Sequence, residues 1–313
     1  AMPKSHATPV HAMRIYGDDA SHIEFDAYRA GVPALAWIVE DRLLQDALWR
    51  GLDAQTGVPE SIEVNPQSIA LHLADGRALR ARLIAGADGA RSFVRQSAGI
   101  EASDKAYGQS AVVANFACER AHANTAYQWF QRGPVLALLP LAGSHVSMVW
   151  SLPAADAERL SALAPEALCR EVEAATRGTL GQLSLVSAPR SYPLRRLSAR
   201  RLVAPRIALV GDAAHVIHPL AGQGLNLGLQ DARALAQVLA QRGPLRDAGD
   251  PGLLRRYERS RAEPILAMDT MVGGLYTLFG ARSRLAGRLR NAGLNLTDRI
   301  PVLKNLLIRR ALN

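Results

Sequence analysis

The chain has 313 residues, of which 49% are hydrophobic and 21% charged, with two cysteines and a formal net charge of +9. That length and apolar content suit one large or two ordinary globular domains and exclude a disordered chain. Cys118 and Cys169, far apart in sequence, exclude a disulfide scaffold or four-cysteine zinc site and suit free thiols in a reducing, cytoplasmic setting.

No apolar run of about 18 residues occurs and no charged-then-apolar leader opens the chain, so neither a membrane span nor export is expected. The positive charge favours an anionic partner, such as nucleic acid, anionic lipid or a phosphorylated cofactor. With only 5% aromatics, stacking on single-stranded nucleic acid is a poor fit, and no nucleic-acid partner is expected.

In chain order, VHAMRIYGDDASHIEF predicts a hairpin from Val10 to Phe25 turning at Gly17, Asp18 and Asp19. IVEDRLLQDALWRGL predicts a helix with Leu43, Leu44, Ala47, Leu48 and Leu52 on one face and Arg42 in the first turn on another side. Ser61–Val64, Ile69–Leu73 and, after an Asp75–Gly76 turn, Leu79–Ile84 read as strands. In LIAGADGARSFVRQSAG a strand ends at Gly86, Asp88 and Gly89 turn the chain, and a helix begins over Ser92–Gln96.

Between Tyr107 and Leu152 the alternation in SAVVANFAC, TAYQWF, VLALLPL and HVSMVWSL predicts an antiparallel sheet. Its turns fall at Gly133–Pro134 and Ala142–Ser144. One helix is expected over Ala154–Thr176 and one strand in LSLVSAPRSYPL. Trp37, Trp49, Trp129 and Trp150 sit in apolar patterns that read as core.

The stretch Arg206–Gln241 combines three devices. Ile207–Val210 reads as a strand buried on both faces, stopped by Gly211 and Asp212. An acid at the carboxyl end of such a strand can accept hydrogen bonds from sugar or ribityl hydroxyls. Gly222, Gly224, Asn226 and Gly228 then lead into a helical pattern with Leu225, Leu229, Ala232, Leu235, Ala236 and Leu239 on its apolar face. Glycines allow close backbone approach, and the amides of a helix start favour an anionic group. An ordinary strand, loop and helix would show the same devices.

A turn-rich link from Pro244 to Gly252 precedes a helix marked by Leu253, Leu254, Tyr257 and Arg261 and expected to be interrupted at Pro264. The last segment sets Arg282, Arg284, Arg288, Arg290, Arg299, Lys304, Arg309 and Arg310 against Asp298 alone among interleaved leucines, an amphipathic pattern suited to a lipid surface or equally to packing.

GDAAHVIHPLAGQGLNLGLQDA resembles the second flavin motif of the FAD-dependent aromatic hydroxylases, the class A flavoprotein monooxygenases, with the ubiquinone-biosynthesis hydroxylases as the closest branch. Gly86, Asp88, Gly89, Ser92 and Arg95 resemble the same family's Asp-Gly motif. Arg42, with Gln45 and its leucines, resembles an arginine that contacts the FAD pyrophosphate, chemistry that a guanidinium suits.

The resemblance implies an α/β fold: an FAD-binding domain of the glutathione-reductase and aromatic-hydroxylase type, N-terminally truncated, with an inserted, mostly antiparallel β substrate domain and C-terminal helices. Residues 1–102 would be a partial FAD-binding domain carrying a substrate-domain hairpin near 10–27. Residues 103–198 would be the substrate domain, and 199–313 the second flavin segment and helical end. The G-x-G-x-x-G turn with which such enzymes open is not seen, as if a preceding βαβ unit of at least ~30 residues were missing, so weak FAD retention is expected.

The implied cofactor-binding residues are Arg42, Asp88, Gly89, Arg95, Gly211, Asp212, Pro219, Gly222, Gly224, Leu225 and Asn226. The implied cofactors are FAD and NAD(P)H as co-substrate, for O2-dependent hydroxylation of a polyprenyl phenol or quinol. No side chain stands out as a general base. Lipid-carrying partners, peripheral contact with the inner face of the membrane and a homo-oligomer stay open, as does a flavin-free scaffold role. His215 and His218 form H-x-x-H, but the motif runs into Pro219 with no suitably spaced third ligand, which argues against a metal site. No G-x-S-x-G elbow supports hydrolase chemistry.

Overall fold

The computed structural model describes residues 7–17, 22–130, 133–219 and 222–280. The C-terminal basic segment and the turn at Asp18 and Asp19 lie outside the described residues. The chain forms two compact units. One takes in the chain up to Ala54 together with Gly108–Leu194, and the other Gln55–Tyr107 with Arg195–Tyr276.

The first unit is built on an antiparallel sheet. The end of the long strand Ala102–Cys118 pairs with His145–Pro153, which pairs with Val135–Leu141 and then Thr125–Phe130. Ala12–Tyr16 joins Thr125–Phe130 in parallel, Tyr16 opposite Trp129, and returns as a hairpin with His22–Asp26. Alternation places Phe116, Leu136, Leu138, Val146 and Met148 in one core.

Helices Ala154–Ser161 and Pro165–Ala175 add Leu160, Leu168 and Val172 to that core. The single helix expected over Ala154–Thr176 is divided because Pro165, which lacks an N–H, opens a second helix at its first turn. The strand expected in LSLVSAPRSYPL is likewise two, Leu183–Leu185 and Arg190–Ala199.

The helix Asp41–Trp49 forms as expected, but its apolar residues do not make core. Leu43 and Leu44 are half-buried, while Ala47, Leu48 and Leu52 are exposed. The core reading also fails for Trp37 and Trp49, each 55% exposed, and holds for Trp129 and Trp150. Periodicity marks an apolar face without showing that anything covers it.

The second unit carries a meander of Pro59–Val64, Ile69–Leu73 and Ala78–Ala81. Beside it, Ile84–Gly86 runs parallel to Ile207–Leu209, with Val203–Ala204 antiparallel on the far side. The expected strand Leu79–Ile84 breaks at Arg82, where the chain leaves one sheet for the other. Arg206 fixes that break: its guanidinium donates to the carbonyls of Arg82 at 2.8 Å, Asn65 at 3.1 Å and Pro66, and pairs with Asp247 at 2.6 Å. The bond from Arg206, with one from the Gly249 amide, holds the Asp247 carboxyl down to about 2.

Helix Pro251–Gly280 runs through Pro264 without interruption. The missing amide costs one bond, and the helix is anchored on both sides of it. Leu253, Leu254 and Tyr257 are buried before Pro264, the Tyr257 hydroxyl donating to the Leu209 carbonyl at 2.7 Å. After it, Asp269 takes a two-pronged bond from Arg196, one arm at 2.7 Å, and Val272 is buried.

Gly86 is a packing glycine as well as a strand end. A Cβ there would lie 2.8 Å from Val94 Cγ1 and 3.1 Å from Leu209 Cδ2. Gly86→Ala is therefore expected to cost about 1–3 kcal/mol through overpacking. A urea melt checks this, and an unchanged midpoint would show that the strand and helix can separate without penalty.

Candidate functional site

The site is built where Ile207–Leu209 ends. Those three residues are fully buried, Val210 stays extended, and its amide donates to the Gly86 carbonyl at 2.9 Å. Gly211 then takes φ +61°, a left-handed conformation favouring glycine, and opens a 3-10 turn over Gly211–Ala213. Asp212 sits on this turn and is exposed. The protein packed around its carboxyl desolvates it in part and pushes it above the ordinary carboxylate range, partly offset by His215.

Helix Gly224–Ala240 packs directly on the turn. A Cβ on Gly228 would lie 3.1 Å from the Gly211 Cα, so this glycine admits the turn's own backbone. The buried face is Leu227, Asp231, Leu235 and Val238. The face expected from the sequence is therefore rotated: Leu235 belongs to it, whereas Leu225, Leu229, Ala232 and Ala236 are exposed and Leu239 is half-buried. Apolar residues almost surround this helix, so periodicity alone could not orient it.

Asp231, wholly buried, is the residue the sequence reading missed. Its Oδ2 accepts from His215 Nε2 at 2.6 Å and from the Gly211 amide at 3.0 Å, and its Oδ1 accepts from Arg261 Nε at 2.6 Å. Burial alone would raise its carboxyl, but the bonds from His215 and Arg261 outweigh that and hold it below the usual range. A visible signal was an acid in line with Leu227 and Leu235 at i and i+4 spacing.

Before the helix, the Gly222 amide donates to the Pro219 carbonyl at 2.9 Å, with Gly222 at φ +61° and open space where a Cβ would stand. The helix start has no side-chain cap. Gln223 precedes it without capping, and its Oε1 accepts from Asn226 Nδ2 at 3.2 Å. The first amides of a helix have no partner within the helix, so this start offers donors to an anionic group.

The Asp-Gly segment is spent largely on the protein itself. Asp88 accepts the Ser92 hydroxyl at 2.6 Å and the Val94 amide at 3.0 Å, while Ser92 Oγ caps helix Phe93–Ser97 by accepting from the Arg95 amide at 2.9 Å. Gly89, at φ +80°, makes the turn, and its carbonyl accepts from the Ser92 amide. Arg95 is buried and donates to the carbonyls of Ala213 and Ala90, each at 2.8 Å, which ties this segment to the Gly211–Ala213 turn. Arg42 is exposed on its helix in the other unit.

The residues in the second unit fit a flavin. Asp212 can accept from polyol hydroxyls, an uncapped helix start can face negative charge, and Gly222 leaves a gap in the side-chain surface. The family described as FAD binding domain matches residues 54–269. The chain belongs to the FAD-dependent aromatic hydroxylase family.

Relatives within this family include 3-demethoxyubiquinol 3-hydroxylase of Escherichia coli, 34% identical over 97% of this chain and 80% of that protein. Ubiquinone hydroxylase UbiL of Rhodospirillum rubrum is 37% identical over 89% of this chain and 67% of that protein. Among solved structures, Klebsiella pneumoniae HpxO, complexed with FAD and uric acid, superposes with a TM-score of 0.74 at 17% identity, covering 96% of this chain and 81% of that one. That likeness supports the fold. The chain is accordingly an α/β flavoprotein monooxygenase with FAD as cofactor.

His218 is buried with its ring edge-on to Tyr107 at 4.8 Å, and burial pulls its pKa down to about 4 from 6.5. Because the folded state holds this imidazole neutral, the unfolded chain binds the extra proton between those values. Stability should therefore fall as pH drops from about 6.5 towards 4, a slope that His218→Gln should flatten. Urea midpoints at several pH values across that window check it, and an equal slope in both proteins would assign the dependence elsewhere.

Proposed function

We propose that this chain uses FAD, NAD(P)H and O2 to hydroxylate the ring of a polyprenyl phenol or quinol intermediate of ubiquinone biosynthesis. One observation carries the reading: Asp212 is presented at the carboxyl end of a buried parallel strand, beside an uncapped helix start, in a chain whose relatives bear ubiquinone-hydroxylase names. FAD, when bound, supplies the hydride-accepting and oxygen-activating chemistry.

The protein's share is binding and electrostatics. Asp212 would accept from the ribityl hydroxyls, and the first amides of helix Gly224–Ala240 would offer donors to negative charge on the bound group. Gly211, Pro219, Gly222, Leu225 and Asn226 line that approach. Asp88, Gly89 and Arg95 belong to the segment tied to the Gly211–Ala213 turn, and Arg42 has a guanidinium of the kind suited to a pyrophosphate. Residues 1–102, apart from the hairpin near 10–27, and 199–313 would form the cofactor part, and that hairpin with the antiparallel layer 103–198 the substrate part.

Asp212→Ala in the full chain is expected to weaken FAD binding by about tenfold, the loss of a charge-assisted hydrogen bond. Quenching of flavin fluorescence reads the affinity. An unchanged Kd would remove Asp212 from the site.

A polyprenyl substrate has to be collected from lipid, and we assign that contact to the C-terminal run from Arg282. Its arginines and lysine attract anionic headgroups at about 1 kcal/mol each near the surface. No described helix is long and apolar enough to cross a membrane. Anionic liposomes should float the intact chain at low salt, and a chain ending before Arg282 should float less. Equal flotation of both would place the contact elsewhere.

A further inference from the structure

We propose that Asp231 is a positioning residue for the cofactor turn: its buried carboxylate, shared by His215, Arg261 and the Gly211 amide, sets the orientation in which Asp212 is presented. The inference rests on the reading that Asp212 binds the flavin, and it concerns a residue that contacts no ligand in that reading.

Gly211 is the most freely rotating joint of the turn. Glycine visits φ values on both sides of zero at similar cost, so a glycine at φ +61° holds that value only if its neighbours select it. Two neighbours do so here. Gly228 presses on the Gly211 Cα, and Asp231 Oδ2 accepts the Gly211 amide at 3.0 Å. The next residue is Asp212, so a rotation at Gly211 would swing the carboxylate that follows.

Asp231 itself is held from two further elements. His215, on the short strand His215–Val216 just past the turn, donates to Oδ2, and Arg261, on the long C-terminal helix, donates to Oδ1, each at 2.6 Å. Arg261 reaches on to the Leu227 carbonyl at 3.4 Å and Gln230 Oε1 at 3.3 Å, so the helix carrying Asp231 is gripped from the same side. The carboxylate therefore fixes both ends of the Gly211–Ala214 segment, through the Gly211 amide at one end and His215 at the other. Arg95, bonded to the Ala213 carbonyl, closes the third side. A stabilising ion pair would need only Arg261; the bond to the Gly211 amide gives the pair its bearing on the site.

The test is a double-mutant cycle on FAD affinity in the full chain, at a temperature where circular dichroism shows every variant folded. Asp231→Asn keeps shape and one acceptor but removes the charge, and it is expected to weaken FAD binding by about tenfold. Combining it with Asp212→Ala should weaken binding little beyond either single change, because both act through the same carboxylate. Leu235→Ala, a core truncation on the same helix, should lower the melting temperature while leaving the FAD Kd within about twofold, as expected of a residue without coupling to the site.

If Asp231→Asn does not fold, His215→Gln carries the same cycle. Additive penalties, or an Asp231→Asn protein with wild-type affinity, would overturn the positioning role while leaving Asp212 in place. An Asp212→Ala protein with unchanged affinity would instead remove the Asp212 reading, and this inference with it.

Discussion

A single buried carboxylate organises the second unit. Asp231 has no exposed surface, and a carboxylate taken out of water is stable only when its oxygens are taken up by donors. Its three partners come from a turn, a two-residue strand and a long helix, 20, 16 and 30 residues away in sequence. Meeting that one requirement brings the end of strand Ile207–Leu209, helix Gly224–Ala240 and helix Pro251–Gly280 together. The Gly228–Gly211 contact and the Tyr257–Leu209 bond reinforce the same junction without charge.

Around this junction, residues that read as ligand contacts in a sequence motif take up internal duties. Asp88 and Ser92 cap a short helix, and Arg95 bridges two turns through backbone carbonyls. Such bonds keep the groups that do face outward, Asp212 and the start of helix Gly224–Ala240, in fixed positions. Preorganisation of this kind matters where charge develops in a reaction, because dipoles already in place need no reorganisation at that moment.

Much of the fold was legible in the sequence. Alternation between Tyr107 and Leu152 marked the antiparallel sheet, and the apolar run Ile207–Val210 marked the buried parallel strand. Glycine and aspartate placed the turns between them. The errors share one cause, that the pattern of a segment does not contain its neighbours. The face of helix Gly224–Ala240 was rotated because the sequence does not show that an acid can be the buried centre of a stripe when His215 and Arg261 arrive from elsewhere. Trp37 and Trp49 read as core because periodicity reports an apolar face whether or not it is covered. Pro264 read as a break because the anchors on either side, Tyr257 and Asp269, find their partners far away in sequence. Arg206, whose guanidinium gathers Asn65, Pro66, Arg82 and Asp247, gave no sequence signal, since three of those partners contribute only backbone carbonyls.

Strand, turn and helix here serve one end: the Asp212 carboxylate carried just after a left-handed glycine, near an open helix start. The most direct measurement is a crystal structure of the full chain with FAD bound. The account predicts an Asp212 carboxylate oxygen within about 3 Å of a ribityl hydroxyl, and the flavin ring edge against the first amides of helix Gly224–Ala240. Flavin bound with Asp212 turned away, or with the helix start facing solvent, would contradict it.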